Sequence, residues 1–197
     1  VLADGGKLLV KSGVNISGSL HATNEGNIEL RGGAYMTVMG DLIADKNAKI
    51  KLVSNQGIVD LDSNVSTDDT GEVILDFAKS SLFKNKWKGD NNGNTQLVMD
   101  NGEWRGNNNG NITASLVNSS TWTGANTGAN ATFNLTDSSW NGDNSGAGLS
   151  LTANNSKWNG NTSAAGNATL TNGSIWTGAS TSADFALTLN GSTWNNS

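Results

Sequence analysis

Apolar and polar residues alternate in short runs along the chain. Across residues 14–30 the apolar positions include Ile16, Leu20, Ala22, Ile28 and Leu30; across 36–52 they include Val38, Leu42, Ala44, Ile50 and Leu52. The two sets superimpose at an offset of 22 residues, and Gly18 then falls on Gly40. Alternation at period two over such short runs predicts strands with one buried face. The breaks Asn24-Glu25-Gly26 and Lys46-Asn47-Ala48 supply turn residues. Further on, Ile58, Val59 and Leu61 predict a strand, 63–71 an irregular loop between coils, and 72–77 another strand. Ser80-Ser81-Leu82-Phe83 lead into the next region.

From there one spacing dominates. The seven tryptophans are Trp87, Trp104, Trp122, Trp140, Trp158, Trp176 and Trp194, first 17 and then 18 residues apart. A glycine follows each of the first six at the second position: Gly89, Gly106, Gly124, Gly142, Gly160 and Gly178. Aliphatic residues precede most tryptophans by seven and five, as Leu97 and Met99 precede Trp104. Leu116 and Leu170 stand instead six before Trp122 and Trp176. A one-residue slip would turn a strand inside out. Because the tryptophan spacing survives, small bulges or turn differences are expected to absorb it.

A repeat of 18–22 residues built of short strands cannot bury its apolar face alone and must stack on copies of itself. Propeller blades are about twice as long. The pattern therefore predicts an all-β chain folded as one parallel β-helix, a solenoid over residues 1–197. Looser coils occupy 1–86 and regular coils 87–197. Stacking about ten coils at ~4.8 Å gives a rod roughly 50 Å long. The general preference for right-handed parallel crossovers predicts a right-handed helix. Asparagine suits such a rod twice over, in left-handed turn conformations and in amide ladders along the axis. The recurrent glycine predicts a tight bend in every coil.

The residues just before the tryptophans are polar in six of seven cases, the exception being Ile175. That position faces water, so the next residue faces the core. The tryptophans are predicted to stack inside as a structural ladder. The residues just after them, Lys88, Arg105, Thr123, Asn141, Asn159 and Thr177, then form an outward polar ladder and are the candidate binding residues.

Composition narrows the chemistry. Net charge is −5, with no cysteine and no proline. An acidic chain lacks the clustered basic footprint of a nucleic-acid binder. From residue 107 onward the only charged residues are Asp137, Asp143, Lys157 and Asp184. Thiolate metal sites and catalytic triads lack their residues: there is no cysteine, and the single histidine, His21, occupies a repeat position matched by Ile43. Asp60, Asp62, Asp68, Asp69 and Glu72 crowd one stretch. They lack the spacing of a calcium loop and read as a solvated acidic segment. Asp60 and Asp62 alternate, so both face out from one strand. They are the best candidates for a carboxylate pair acting on a polysaccharide. An ice-binding face would need a regular Thr-x-Thr array; Thr121 and Thr123 flank one tryptophan, but Ser139/Asn141 and Lys157/Asn159 break the pattern. No cofactor motif is present, since glycine-rich stretches such as GNNNGN are not followed by a helix.

The C-terminal repeats, for example LSLTANNSKWNGNTSAAGNATLTNGSIWTGAS, resemble the passenger domains of bacterial autotransporters, most closely the self-associating adhesins. The likeness covers residues 87–197 well and the rest more loosely. It lies in repeat style, in Asn, Gly, Ser and Thr content and in the missing cysteine. The resemblance implies a right-handed β-helix displayed at the outer membrane of a Gram-negative cell or shed after cleavage. It also implies a signal peptide and a C-terminal membrane barrel, neither of which this sequence contains. The expected function is adhesion or self-association through the polar outer faces. Like rods on neighbouring cells, or host glycans and matrix proteins, are the partners. A β-helical polysaccharide-active enzyme with a site around Asp60–Glu72 is the alternative.

Overall fold

The computed structural model describes residues 1–11, 13–54, 57–77 and 83–197. All its regular structure is β, and the strands build three parallel sheets that the chain visits in a fixed order. A short sheet runs from Leu2–Asp4 through Leu20–Thr23, Leu42–Ala44 and Val65–Thr67 to Asn91–Asn92. A long sheet holds ten strands, from Lys7–Val10 to Phe185–Asn190. A tryptophan sheet also holds ten, from Val14–Ile16 to Thr193–Asn195. Each coil pairs with the next in the two long sheets, and single bridges from Asn91 to Ser180 continue the short one, so the chain is a parallel β-solenoid of about ten coils.

The register matches the 22-residue offset read from sequence. Ile16 pairs with Val38, Leu20 with Leu42, Ile28 with Ile50 and Leu30 with Leu52. Asn24, Glu25, Lys46 and Asn47 make the intervening turns with positive φ. Segment 63–71 departs from the expected loop. It supplies the strand Val65–Thr67, which pairs with Leu42–Ala44, and Val65 is buried in the core. Only one apolar residue marks that strand, so alternation could not reveal it. The lead-in at 80–82 lies outside the described residues.

Corner lengths absorb the slip around the tryptophans. Met99 pairs with Leu116, and Trp104 with Trp122, although the intervening segments differ by one residue. The longer corner spends two residues in the left-handed region, Asn118 (φ 53°) and Ser119 (φ 67°). The shorter one spends Asn101 alone (φ 50°). The preceding corner compensates. Asn126 to Ala131 is one residue longer than Asn108 to Ile112, and the coil with the short first corner has the long second one. The coil of Trp104 is short at both corners, which is why the first tryptophan interval is 17 rather than 18.

Inside, six tryptophans from Trp87 to Trp176 are fully buried, and Trp194 is partly buried. Successive rings stack with centroids 4.5–5.0 Å apart and planes within 3–11°. Each ring removes roughly 150–250 Å² from water, an upper bound of about 4–6 kcal/mol per residue at ~25 cal/mol per Å². Each indole N–H is also satisfied. Trp122 donates to the carbonyl of Gly106 (2.9 Å), Trp140 to Gly124 (2.9 Å) and Trp158 to Gly142 (3.0 Å). The glycine two after one tryptophan is therefore the acceptor for the next. The expected bend is present at all six, with φ between 147° and 159°, and the missing side chain also permits a close approach. A Cβ on Gly142 would lie 1.9 Å from the Gly124 oxygen.

A second ladder is polar. Asn91, Asn108, Asn126 and Asn144 are buried and bridge coil to coil. The side-chain amide of Asn91 donates to the Oδ1 of Asn108 (2.6 Å), Asn108 to Asn126 (2.7 Å) and Asn126 to Asn144 (2.7 Å). Asn144 ends the run on the hydroxyl of Thr162 (2.9 Å). Unpaired amides here would cost far more than the bonds gain, so the ladder is an all-or-nothing device. Asn126→Leu deprives both neighbouring amides of a partner. It is expected to cost about 2–6 kcal/mol, at about 1–3 per orphaned group, in urea unfolding followed by tryptophan fluorescence.

Candidate functional site

The structure places Lys88, Arg105, Thr123, Asn141, Asn159 and Thr177 in one column on the outside of the tryptophan sheet, each paired with the next. All are exposed except Thr177, which is partly buried. Alternation explains the placement, because the tryptophan between the two outward neighbours points inward. Much of this column is engaged with its own rod. Lys88 Nζ meets Asp62 Oδ2 at 3.0 Å, Arg105 is paired with Glu103, and Asn159 donates to Asn141 (2.8 Å). Thr123 and Thr177 keep their hydroxyls for solvent.

Asp60 and Asp62 both face out, as their alternation predicts, opposite Lys86 and Lys88 of the next coil. The carboxylates of the acidic stretch do not converge. Asp60 and Asp62 belong to the tryptophan sheet, and Glu72 starts a strand of the long sheet, where it pairs with Lys49 (2.7 Å). Asp68 sits in the corner between the short and long sheets and bridges two coils. Its Oδ2 accepts the Lys46 N–H (2.7 Å), and its Oδ1 accepts the Thr70 N–H (2.9 Å), the Gly71 N–H (2.7 Å) and the Thr70 hydroxyl (2.9 Å). These bonds, the Lys46 amide first and the Thr70 amide next, hold its pKa down to about 2. Its lone pairs are spent on the backbone. Among the described residues no group of three or more acidic or histidine side chains could hold a metal.

That carboxylate gives the rod an acid-sensitive corner. It is more acidic folded than unfolded, so its stabilisation is complete above an ordinary aspartate value near 4 and is lost as pH falls towards about 2. Asp68→Asn is expected to lower the melting temperature at pH 7. The gap from the parent should close as pH drops through that window in thermal melts.

His21 pairs in register with Ile43, as the repeat predicted, and its Nε2 lies 3.1 Å from Asp45 Oδ2 in the coil above. The Thr23 hydroxyl first, and then His21, lower the Asp45 pKa. Among the described residues no serine or second base joins them, and the pair links one coil to the next.

The polar columns of the long sheet escaped the sequence reading. Their residues are the same Thr, Ser and Asn found everywhere in the C-terminal half, and only register distinguishes them. The fold and these columns define a class of molecule, a polar-surfaced parallel β-solenoid. Comparison goes no further: no family model, no curated protein and no solved structure matches the chain.

Proposed function

We propose that this chain is a segment of an autotransporter passenger domain, displayed on or released from a bacterial surface, acting as an adhesin and self-association factor. The observation that carries the reading is the in-register repetition of outward polar residues along a ten-coil rod. A rod that presents a polar group at the same place on successive coils multiplies individually weak contacts into avidity for a like rod, a glycan or a matrix protein. The nearly uncharged surface beyond residue 107 keeps repulsion between like rods small.

The experiment is surface display of the segment with its native flanks, read as cell sedimentation and as binding to glycans and matrix proteins. Clumping or binding that purified rod competes away supports the reading. Cells that neither clump nor bind overturn it. Turnover of a polysaccharide by the purified chain, abolished in Asp60→Asn/Asp62→Asn, would replace it with the enzymatic alternative.

A further inference from the structure

The polar side chains of the outer surface are of two kinds. At the corner between the short and long sheets they are bonded to one another from coil to coil. Asn109 donates to Asn92 (2.8 Å), Asn111 to Asn94 (2.9 Å), Asn130 to Asn111 (3.2 Å) and Thr127 to Asn109 (2.8 Å). From Ile112 onward most outward side chains of the long sheet behave differently, the exceptions being Ser150, bonded to Asn167 (3.3 Å), Asn154, which accepts from Asn172 (2.8 Å), and Thr171, which donates to the Ala153 carbonyl (3.2 Å). Ser115, Asn134, Thr152 and Thr169 form its middle column, each paired in register with the next. Thr132 and Thr136 flank Asn134 on one strand, and Thr171 follows Thr169 on another. Among the described residues the side chains of Thr132, Asn134, Thr136, Thr152 and Thr169 have no hydrogen-bond partner within the chain. No strand of this sheet from Ile112–Val117 to Phe185–Asn190 carries a charge.

The result is a lattice of polar side chains and methyls whose central hydroxyls, those of Thr152 and Thr169, are unspent. Its repeats are ~4.8 Å from coil to coil and ~6.6 Å between alternate residues of a strand. It is rigid, because threonine is restricted at χ1 and the alternating residues Phe133, Leu135 and Leu151 are locked in the core. A pre-ordered face loses little entropy on binding. The features that protein interfaces use as anchors, aromatic rings and arginine, are missing from it. So is the aromatic platform on which a single sugar chain would stack. What fits is a neutral partner that is itself flat and periodic in two directions, offers donors and acceptors alike, and accommodates methyl groups.

We propose that the outer face of the long sheet, centred on Asn134, Thr152 and Thr169, is an ice-binding surface. Thr-x-Thr occurs once within a strand here, at Thr169 and Thr171, as it does once beside the tryptophans; what sets this face apart is the threonine column along the axis, Thr152 on Thr169 on Thr188, with no charge beside it. The inference is independent of the adhesin reading, since it uses a different sheet.

The test uses the purified chain in two assays: partition into a slowly growing ice hemisphere, and the gap between melting and growth temperatures of a single crystal. The parent chain is expected to enter the ice and to open a gap. Thr152→Lys places a charge at the centre of the lattice and should be left in the liquid with no gap. Thr193→Lys, on the tryptophan sheet, should behave as the parent. Thr169→Tyr repeats the test by bulk rather than charge, and circular dichroism confirms that each variant is folded. Exclusion of the parent from ice overturns the proposal, as does undiminished partition of folded Thr152→Lys and Thr169→Tyr. Binding to crystalline cellulose without binding to ice overturns it in favour of a glycan surface.

Discussion

Gly142→Ala is expected to destabilise the rod by about 3 kcal/mol or more, beyond the usual cost of one extra methyl in a packed interior. The new Cβ would stand 1.9 Å from the Gly124 oxygen, and backbone cannot swing aside as a flexible side chain does. The same oxygen accepts the Trp140 indole N–H, so opening the gap to relieve the clash also breaks that bond. Two losses are thus tied to one methyl. Urea unfolding of Gly142→Ala against Gly173→Ala measures the effect. Gly173 also has positive φ, but a Cβ there meets nothing within 4 Å, so that variant isolates backbone strain from collision. Equal destabilisation of the two would refute the close-approach account of the Trp-x-Gly motif.

Trp140→Ala is expected to cost about 3–5 kcal/mol, the range for truncating a buried aromatic. Trp140 lies between Trp122 and Trp158 and also packs on Phe133 at 5.5 Å, so its removal opens a void with ring faces on two sides. Trp140→Phe should recover part of the loss. It refills most of the space but leaves the Gly124 carbonyl without its indole donor. Trp194→Ala should cost less, since that ring has a stacked neighbour on one side only and is partly exposed. Chemical denaturation of the three variants gives the order directly. A Trp194 variant as damaging as the Trp140 one would contradict the stacking argument.

The sequence makes the fold legible because every signal for it is periodic. The offset between 14–30 and 36–52 and the tryptophan interval each fix a register, and a solenoid is little more than its register. The polar residues before the tryptophans likewise settle which way the rings point. Val65 escapes because one apolar residue makes no pattern. The role of the glycines is legible only as a recurrence, since their constraint comes from a carbonyl 18 residues away. The candidate surface is harder still. Asn126 and Asn134 are the same residue eight positions apart; one is a buried rung, the other an unpaired group on an open face. Composition cannot separate them. The column after the tryptophans was readable as outward, but the pairing of Lys88 with Asp62 and of Asn159 with Asn141 depends on neighbours supplied by other coils.

The asparagine ladder also sets where cooperativity fails. Every rung from Asn91 to Asn144 donates in the same sense along the rod, so each bond polarises the next. At Thr162 the column changes from amide to hydroxyl, and Ser180 follows it. The hydroxyl of Thr162 turns to the carbonyl of Ala164 in its own coil (3.4 Å), and that of Ser180 to Ser182 (3.4 Å). Coils from Asn91 to Thr162 are coupled through a continuous side-chain wire; between the coils of Thr162 and Ser180 that wire is broken, and backbone pairing, the tryptophan stack and the bond from the Ala179 N–H to Asn161 Oδ1 (2.8 Å) remain. In a quasi-one-dimensional molecule such a weak link decides which segment opens as a unit. Amide hydrogen exchange should therefore step down near Thr162 instead of fading evenly along the rod.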